Sequence, residues 1–362
     1  MAMTEEAVQR AAHERATAAV RPGHRLRGLL AGTEAGVVIS LALLVALFVL
    51  LSPAFLSGAN IRSMLGTMSF VGIVAVGQTL LLVAGEFDLS VGSVAGLSAV
   101  IAAWLMVKAG LPAGIGLVGG LACGAGLGLV NGVVVVRLGI PAFIATLGML
   151  YAAQGFTQLI TKGYPIYPLP RVVGEIGQAT PILGLGWSVV VLVVLVAFSD
   201  LLLRRTTVGR NLYATGGNRE IARLVGISTD RYKLICFALT GGLAALAGMF
   251  VMGNLASGST SIGSGWELTV IAGVVVGGVS LFGGVGTVFA GFVGMLLLQV
   301  VQSGLVVAGV SPNWQTVAVG VIMVVAVGLD LFRRRLSAQG GLRRRARATA
   351  VTPAAIKEGG AM

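Results

Sequence analysis

Ten long apolar blocks constrain this chain more than any other feature. They run over approximately residues 35–51, 63–84, 89–107, 112–136, 141–160, 182–199, 234–253, 268–282, 285–308 and 313–329. Most have the length that a helix needs to cross about 30 Å of hydrocarbon. The expected fold is therefore an all-α integral membrane protein with about ten transmembrane helices. The block 268–282 is too short for a straight crossing, and only Gly283 and Gly284 separate it from the next. Short, glycine-interrupted pairs of this kind mark broken helices near a transport pathway.

Composition excludes most alternatives. The chain has 362 residues, enough for two or three soluble domains, but 56% are hydrophobic and only 10% are charged, with a mean hydropathy of +0.96. Two Cys cannot build a disulfide scaffold, and the 55 Gly follow no collagen-like triplet. A net charge of +12 would suggest nucleic acid in a soluble domain. Here the basic residues flank apolar blocks, as membrane topology requires, so no nucleic-acid partner is expected. Cys123 and Cys236 lie within apolar blocks and read as buried free thiols, the other reading being a ligand pair. His13 and His24 lie in the polar N-terminal stretch. Neither a metal centre nor a Ser/His/Asp set can be assembled in the membrane from this inventory. None of Lys108, Lys162, Lys233 and Lys357 follows a Gly, so the chain has no P-loop of its own. No cofactor is expected, and no enzymatic activity.

The N-terminal arm, Arg137, the 204–233 stretch and the tail from Arg333 carry 21 of the 25 Lys and Arg, against Arg62, Lys108, Lys162 and Arg171 elsewhere. This asymmetry places the first set, and both termini, in the cytoplasm. It also supports the count of ten, because merging 268–282 with 285–308 would put the basic tail outside. Residues 1–34 read as a basic cytoplasmic arm preceding a retained first helix rather than a cleaved signal. Residues 35–332 read as the membrane domain, and 333–362 as a disordered basic tail.

Two connections carry information. The outward loop 161–181 holds Pro165, Pro168 and Pro170, which favour extended backbone over helix. It is either a structured external loop or a docking surface for an external partner. The cytoplasmic stretch contains Gly217, Asn218, Arg219, Glu220, Ile221, Ala222, Arg223, Leu224, Val225 and Gly226. Asn218 suits an N-cap, Glu220 the first turn, and Gly226 a left-handed terminus. Ile221, Leu224 and Val225 share one face of the resulting two-turn helix, with Arg219 and Arg223 on another. So short a helix needs something to pack on: its own protein or lipid, or a groove in a cytoplasmic partner.

The stretch Gly85-Glu-Phe-Asp-Leu-Ser-Val-Gly-Ser93 precedes the third block. Asp88 could cap a helix starting at Leu89. Acids near membrane depth are also costly and commonly functional, which makes Glu86, Asp88, Ser90 and Ser93 candidates for a translocation path or gate. Along the fourth block Gly116, Gly120, Gly124, Gly128 and Gly132 recur every four residues, a pattern for close helix packing. Asn131, beside the last of them, is expected to bond a neighbouring helix and joins the candidate path residues.

These motifs resemble the permease subunit of ribose/xylose-type bacterial ABC importers, the sugar-uptake class of the branched-chain-type permease family. The resemblance rests on Gly85–Ser93, Asn131-Gly132, Gly139-Ile-Pro-Ala-Phe-Ile-Ala-Thr-Leu-Gly148, Gly216–Ile227, Gly265-Trp-Glu-Leu268 and Val276–Thr287, in family order across about residues 60–332. It implies the vitamin-B12-importer (type II) permease fold with ten helices per subunit. It also implies a homodimeric pathway in the bacterial plasma (inner) membrane, a separate cytoplasmic ATP-binding subunit, and an extracytoplasmic sugar-binding protein that delivers substrate. Residues 216–227 then become the coupling helix to the ATPase. The alternatives are an ABC permease for another small hydrophilic solute, an ion-coupled secondary carrier, which the lack of mid-span charges disfavours, and a non-transporting scaffold.

Overall fold

A computed structural model describes residues 33–328 except 312, 316, 323 and 326. The arm before Thr33, with both His, and the tail 333–362 lie outside the described residues. The chain is all-helical, with no strand among the described residues. In order, the helices are α1 (Thr33–Leu51), α2 (Gly58–Val83), α3 (Val91–Val107), α4 (Ala113–Val136), α5 (Ala142–Thr161), α6 (Arg171–Gln178), α7 (Trp187–Arg205), α8 (Thr207–Gly217), α9 (Arg219–Leu224), α10 (Thr229–Leu255), α11 (Trp266–Val276) and α12 (Val288–Val307). Helical backbone recurs between 313 and 328. Six helices, α2, α4, α5, α7, α10 and α12, are long and apolar enough to cross a membrane. α1, α3 and α11 are shorter apolar helices.

α2 is the hub. Its most apolar stretch is 83% buried, against 22% for α4 and 17% for α5, so α2 lies at the centre while α4 and α5 expose most of their surface. A helix that is apolar all round belongs in such a core or in lipid. The glycine ladder of α4 packs as its spacing predicts. A Cβ at Gly120 would stand 2.8 Å from the Ser98 carbonyl oxygen of α3, and one at Gly124 would stand 2.6 Å from that of Gly241 in α10.

Several boundaries differ from the apolar blocks for local reasons. α10 begins at Thr229 rather than 234, taking in polar residues with Asp230 in its first turn, where an acid suits the dipole. α7 continues to Arg205 past the apolar run, with Asp200 and Arg204 paired at 2.8 Å one turn apart. In the 161–181 loop the prolines do give extended backbone. Ile166 pairs with Gly258 through two 3.0 Å backbone hydrogen bonds. The unexpected helix α6 follows, starting directly after Pro170 and burying Val173. Cys236 is buried and free, whereas Cys123 is free but only half-buried.

The break between the eighth and ninth blocks is real. α11 spans only Trp266–Val276, residues 277–287 are not helical, and the Thr287 hydroxyl caps α12 by accepting from the Ala290 N–H at 3.1 Å.

Candidate functional site

The last turn of α8 meets two non-helical segments, 84–90 and 277–287, where α2 and α11 end. The Gly284 N–H donates to the Val83 carbonyl at 3.0 Å, which ties 277–287 to the end of α2. A Cβ on Gly283 would meet both the Gly216 carbonyl oxygen and the Gly85 Cα at 2.7 Å. Gly85 and Gly283 also hold left-handed backbone, φ +84° and +86°, which an L side chain adopts only with strain. Gly216 lies against the Val83 carbonyl with no room for a Cβ. The Tyr213 hydroxyl of α8 donates to the Gly286 carbonyl at 2.6 Å. Three motifs far apart in sequence thus meet backbone to backbone.

Charged and polar side chains brace this junction. Lys233, one turn into α10, reaches Glu86 at 2.6 Å, with the two side chains only 7% and 16% exposed. A buried pair of this kind is costly to break from one side, because the remaining charge is left uncompensated. Asp88 is fully buried. It accepts from the Ser90 N–H at 2.7 Å, the Ser90 hydroxyl at 2.6 Å and the Asn131 amide at 3.2 Å. The same Asn131 amide donates to the Ser90 hydroxyl at 2.9 Å. Burial pushes the Asp88 carboxyl above its usual range, and the bonds from Ser90 and Asn131 pull it partly back. Asp88 therefore does not cap a helix at Leu89. α3 begins two residues later, at Val91, and Asp88 folds the turn that leads into it. Among the expected path residues, Asp88, Ser90 and Asn131 come together in a closed cluster. Glu86 joins Lys233 instead, and Ser93 stands apart, half-buried in the first turn of α3.

Above the junction sits α9. The Asn218 side chain accepts from the Ile221 N–H at 3.0 Å, and Gly226 ends the turn at φ +83°, as the sequence predicts. The helix holds six residues, less than the two turns expected. Ala222 is buried beneath it. Arg219 and Arg223 reach back to Asp230 at 3.0 and 2.6 Å, so they hold α9 to the start of α10. Gly217 and Glu220 are exposed. Ile221, Leu224 and Val225 are 60%, 86% and 70% exposed, so the apolar face does not rest on its own chain. Sequence reasoning counted Lys233 only among the basic residues of the 204–233 stretch and did not consider Asp230. The available signal was an Asp and a Lys three residues apart at the mouth of an apolar helix.

A multi-helix membrane body with a braced end that presents a short apolar helix defines a membrane protein built to engage something outside its own chain. The sequence comparisons specify the class. The chain belongs to the family described as branched-chain amino acid transport system / permease component, whose model matches residues 60–327. It is a multi-pass transport subunit rather than an enzyme. It is 36% identical to the ribose import permease protein RbsC of Escherichia coli (strain K12), over 81% of this chain and 92% of that one. It is 34% identical to the fructose import permease protein FrcC of Rhizobium meliloti, over 82% and 84%. The galactose/methyl galactoside import permease protein MglC of Escherichia coli (strain K12) is likewise 34% identical, over 82% and 94%. No solved structure matches the chain.

Proposed function

We propose that this protein is the transmembrane permease subunit of an ATP-driven monosaccharide importer in a bacterial inner membrane. Three curated relatives named as sugar import permeases support the substrate class. In this reading the chain makes ten crossings of the type II permease kind. Both termini are cytoplasmic, and two copies flank a central path. A sugar-binding protein docks on the outward face, which includes 161–181, and α9 inserts into a separate cytoplasmic ATPase. The glycine junction carries ATPase motion into α2 and α11, and the Asp88–Ser90–Asn131 cluster holds the adjoining turn as the path opens and closes.

The observation that carries the reading is the solvent-facing triad Ile221, Leu224 and Val225 on a helix fixed by its cap and its arginines. Apolar anchors of this kind dominate interface energy. The test is Leu224→Asp in proteoliposomes. Insertion is expected to be unaffected, because Leu224 touches little of its own chain, while ATPase co-purification and sugar uptake fall. Wild-type levels of both would remove α9 from the coupling role. Orientation is checked by cysteine labelling in intact cells. Tyr164→Cys is expected to label from outside and Glu220→Cys only after permeabilisation, both positions being exposed.

A further inference from the structure

The crossing between α10 and α12 is unwound over its first half. After Leu255 the chain does not stay at the end of α10 but runs back along α3. A Cβ at Gly258 would stand 2.6 Å from that of Ala103, and one at Gly96 would stand 2.6 Å from the Ile262 carbonyl oxygen. Gly263 lies directly on Gly92, where a Cβ would also meet a Glu267 carboxylate oxygen at 2.6 Å. From Ala103 to Gly92 is about 16 Å along a helix, roughly half the hydrocarbon thickness. Only then does α11 begin, at Trp266.

Non-helical backbone at membrane depth is tolerated only where protein buries it or where it lines a water-filled cavity. This stretch is two-sided. Ile262 and Gly263 are buried against α3, while Ser261, Ser264 and Gly265 are exposed and Ser259 is half-exposed. The Ser259 and Ser261 hydroxyls bond each other at 2.9 Å. Glu267, half-buried in the first turn of α11, makes no ion pair among the described residues. Lipid would leave these groups unsatisfied, whereas a wet path would not.

We propose that residues 257–265 form the polar wall of the translocation path, where Ser259, Ser261, Ser264 and the Glu267 carboxylate exchange hydrogen bonds with the hydroxyls of a neutral polyhydroxylated solute. The solute class rests on the sugar-import reading above. Serine hydroxyls both donate and accept, and a carboxylate accepts, which matches a sugar ring passing hydroxyl by hydroxyl. Several weak contacts in series let a solute enter and also leave. The Asp88 carboxylate and the Ser90 hydroxyl, by contrast, already bond each other and the Asn131 amide.

The test uses the full complex with its ATPase and binding protein in proteoliposomes, with Cys123→Ala and Cys236→Ala as background. Single Ser261→Cys, Ser264→Cys and Ile262→Cys variants meet a cationic, membrane-impermeant methanethiosulfonate. Uptake of ribose, fructose and galactose is then followed beside ATP hydrolysis. Ser261→Cys and Ser264→Cys are expected to react and to lose uptake while hydrolysis persists, and Ile262→Cys is expected to stay inert. No reaction at 261 or 264 in any nucleotide state overturns the proposal, since the stretch is then buried between copies. Reaction without loss of uptake also overturns it, placing the stretch in water but off the path. If the unmodified complex moves none of the three sugars, the sugar-import reading fails instead, and labelling alone decides whether the stretch faces water.

Discussion

The junction beneath α9 and the unwound stretch along α3 are both irregular backbone in a helical membrane protein, yet they are stabilised in opposite ways. At the junction, the carboxylates are satisfied inside the chain: Glu86 by Lys233, Asp88 by Ser90 and Asn131, Asp230 by Arg219 and Arg223. Along α3 only the backbone is fixed, by glycine contacts on one side, and the hydroxyls of the other side point away from the chain's own core. The first arrangement suits a part that transmits force and must not deform. The second suits a surface that exchanges hydrogen bonds with something passing by. Substitutions should therefore cost stability at the junction and function, without stability, along the stretch.

The largest effect is expected at Gly216. A methyl there would overlap the Val83 carbonyl, and backbone cannot swing aside as a side chain can. Gly216→Ala is expected to exceed the usual overpacking cost of about 1–3 kcal/mol, read as loss of monodisperse protein in detergent. Normal yield and melting temperature would show that the junction is loose.

Next comes Lys233→Ala, which strands Glu86 at 16% exposure. Breaking a buried pair from one side costs about 3–5 kcal/mol. Adding Glu86→Gln is expected to recover much of the loss, since it removes the orphaned charge. A double-mutant cycle on thermal unfolding measures this. Additive losses would mean that the pair is solvated in the membrane.

Asn131→Ala is expected to cost about 1–3 kcal/mol, the range for leaving a buried acceptor short of its donor. Asp88→Asn is expected to cost less than Asp88→Ala, because the amide oxygen still accepts from Ser90. The order of the two Asp88 melting temperatures checks the turn-forming role.

Local chemistry made much of this legible. The Asn218 cap, the Gly226 terminus and the glycine ladder of α4 each follow from a few neighbouring residues, and the break at Gly283-Gly284 follows from block length. What sequence could not supply was the choice of environment. α2 and α4 share a mean hydropathy of 1.8 in their spanning windows, yet one is 83% and the other 22% buried. Lipid and protein core look alike to an apolar run. Lys233 was hidden because α10 starts a turn before its apolar block. Residues 257–265 were hidden because Ser, Gly and Thr read as a surface loop wherever they lie. The turn at Asp88 was misplaced by two residues because an Asx turn and an N-cap share the same residue preference.

Two small effects separate the regions most sharply. Arg223→Ala removes a bond to Asp230 between side chains that are 50% and 38% exposed, so stability is expected to fall by only about 0.2–1 kcal/mol. ATPase association is expected to weaken more visibly, because α9 keeps only the Arg219 tether to Asp230. The smallest change belongs to Ser261→Ala. Its hydroxyl is exposed and, among the described residues, bonds Ser259, and surface changes of this kind stay within about 0.5 kcal/mol. The melting temperature is therefore expected to match wild type while sugar uptake drops. If instead Ser261→Ala destabilises the protein as Asn131→Ala does, the stretch is a structural brace like the junction, and the contrast between the two regions dissolves.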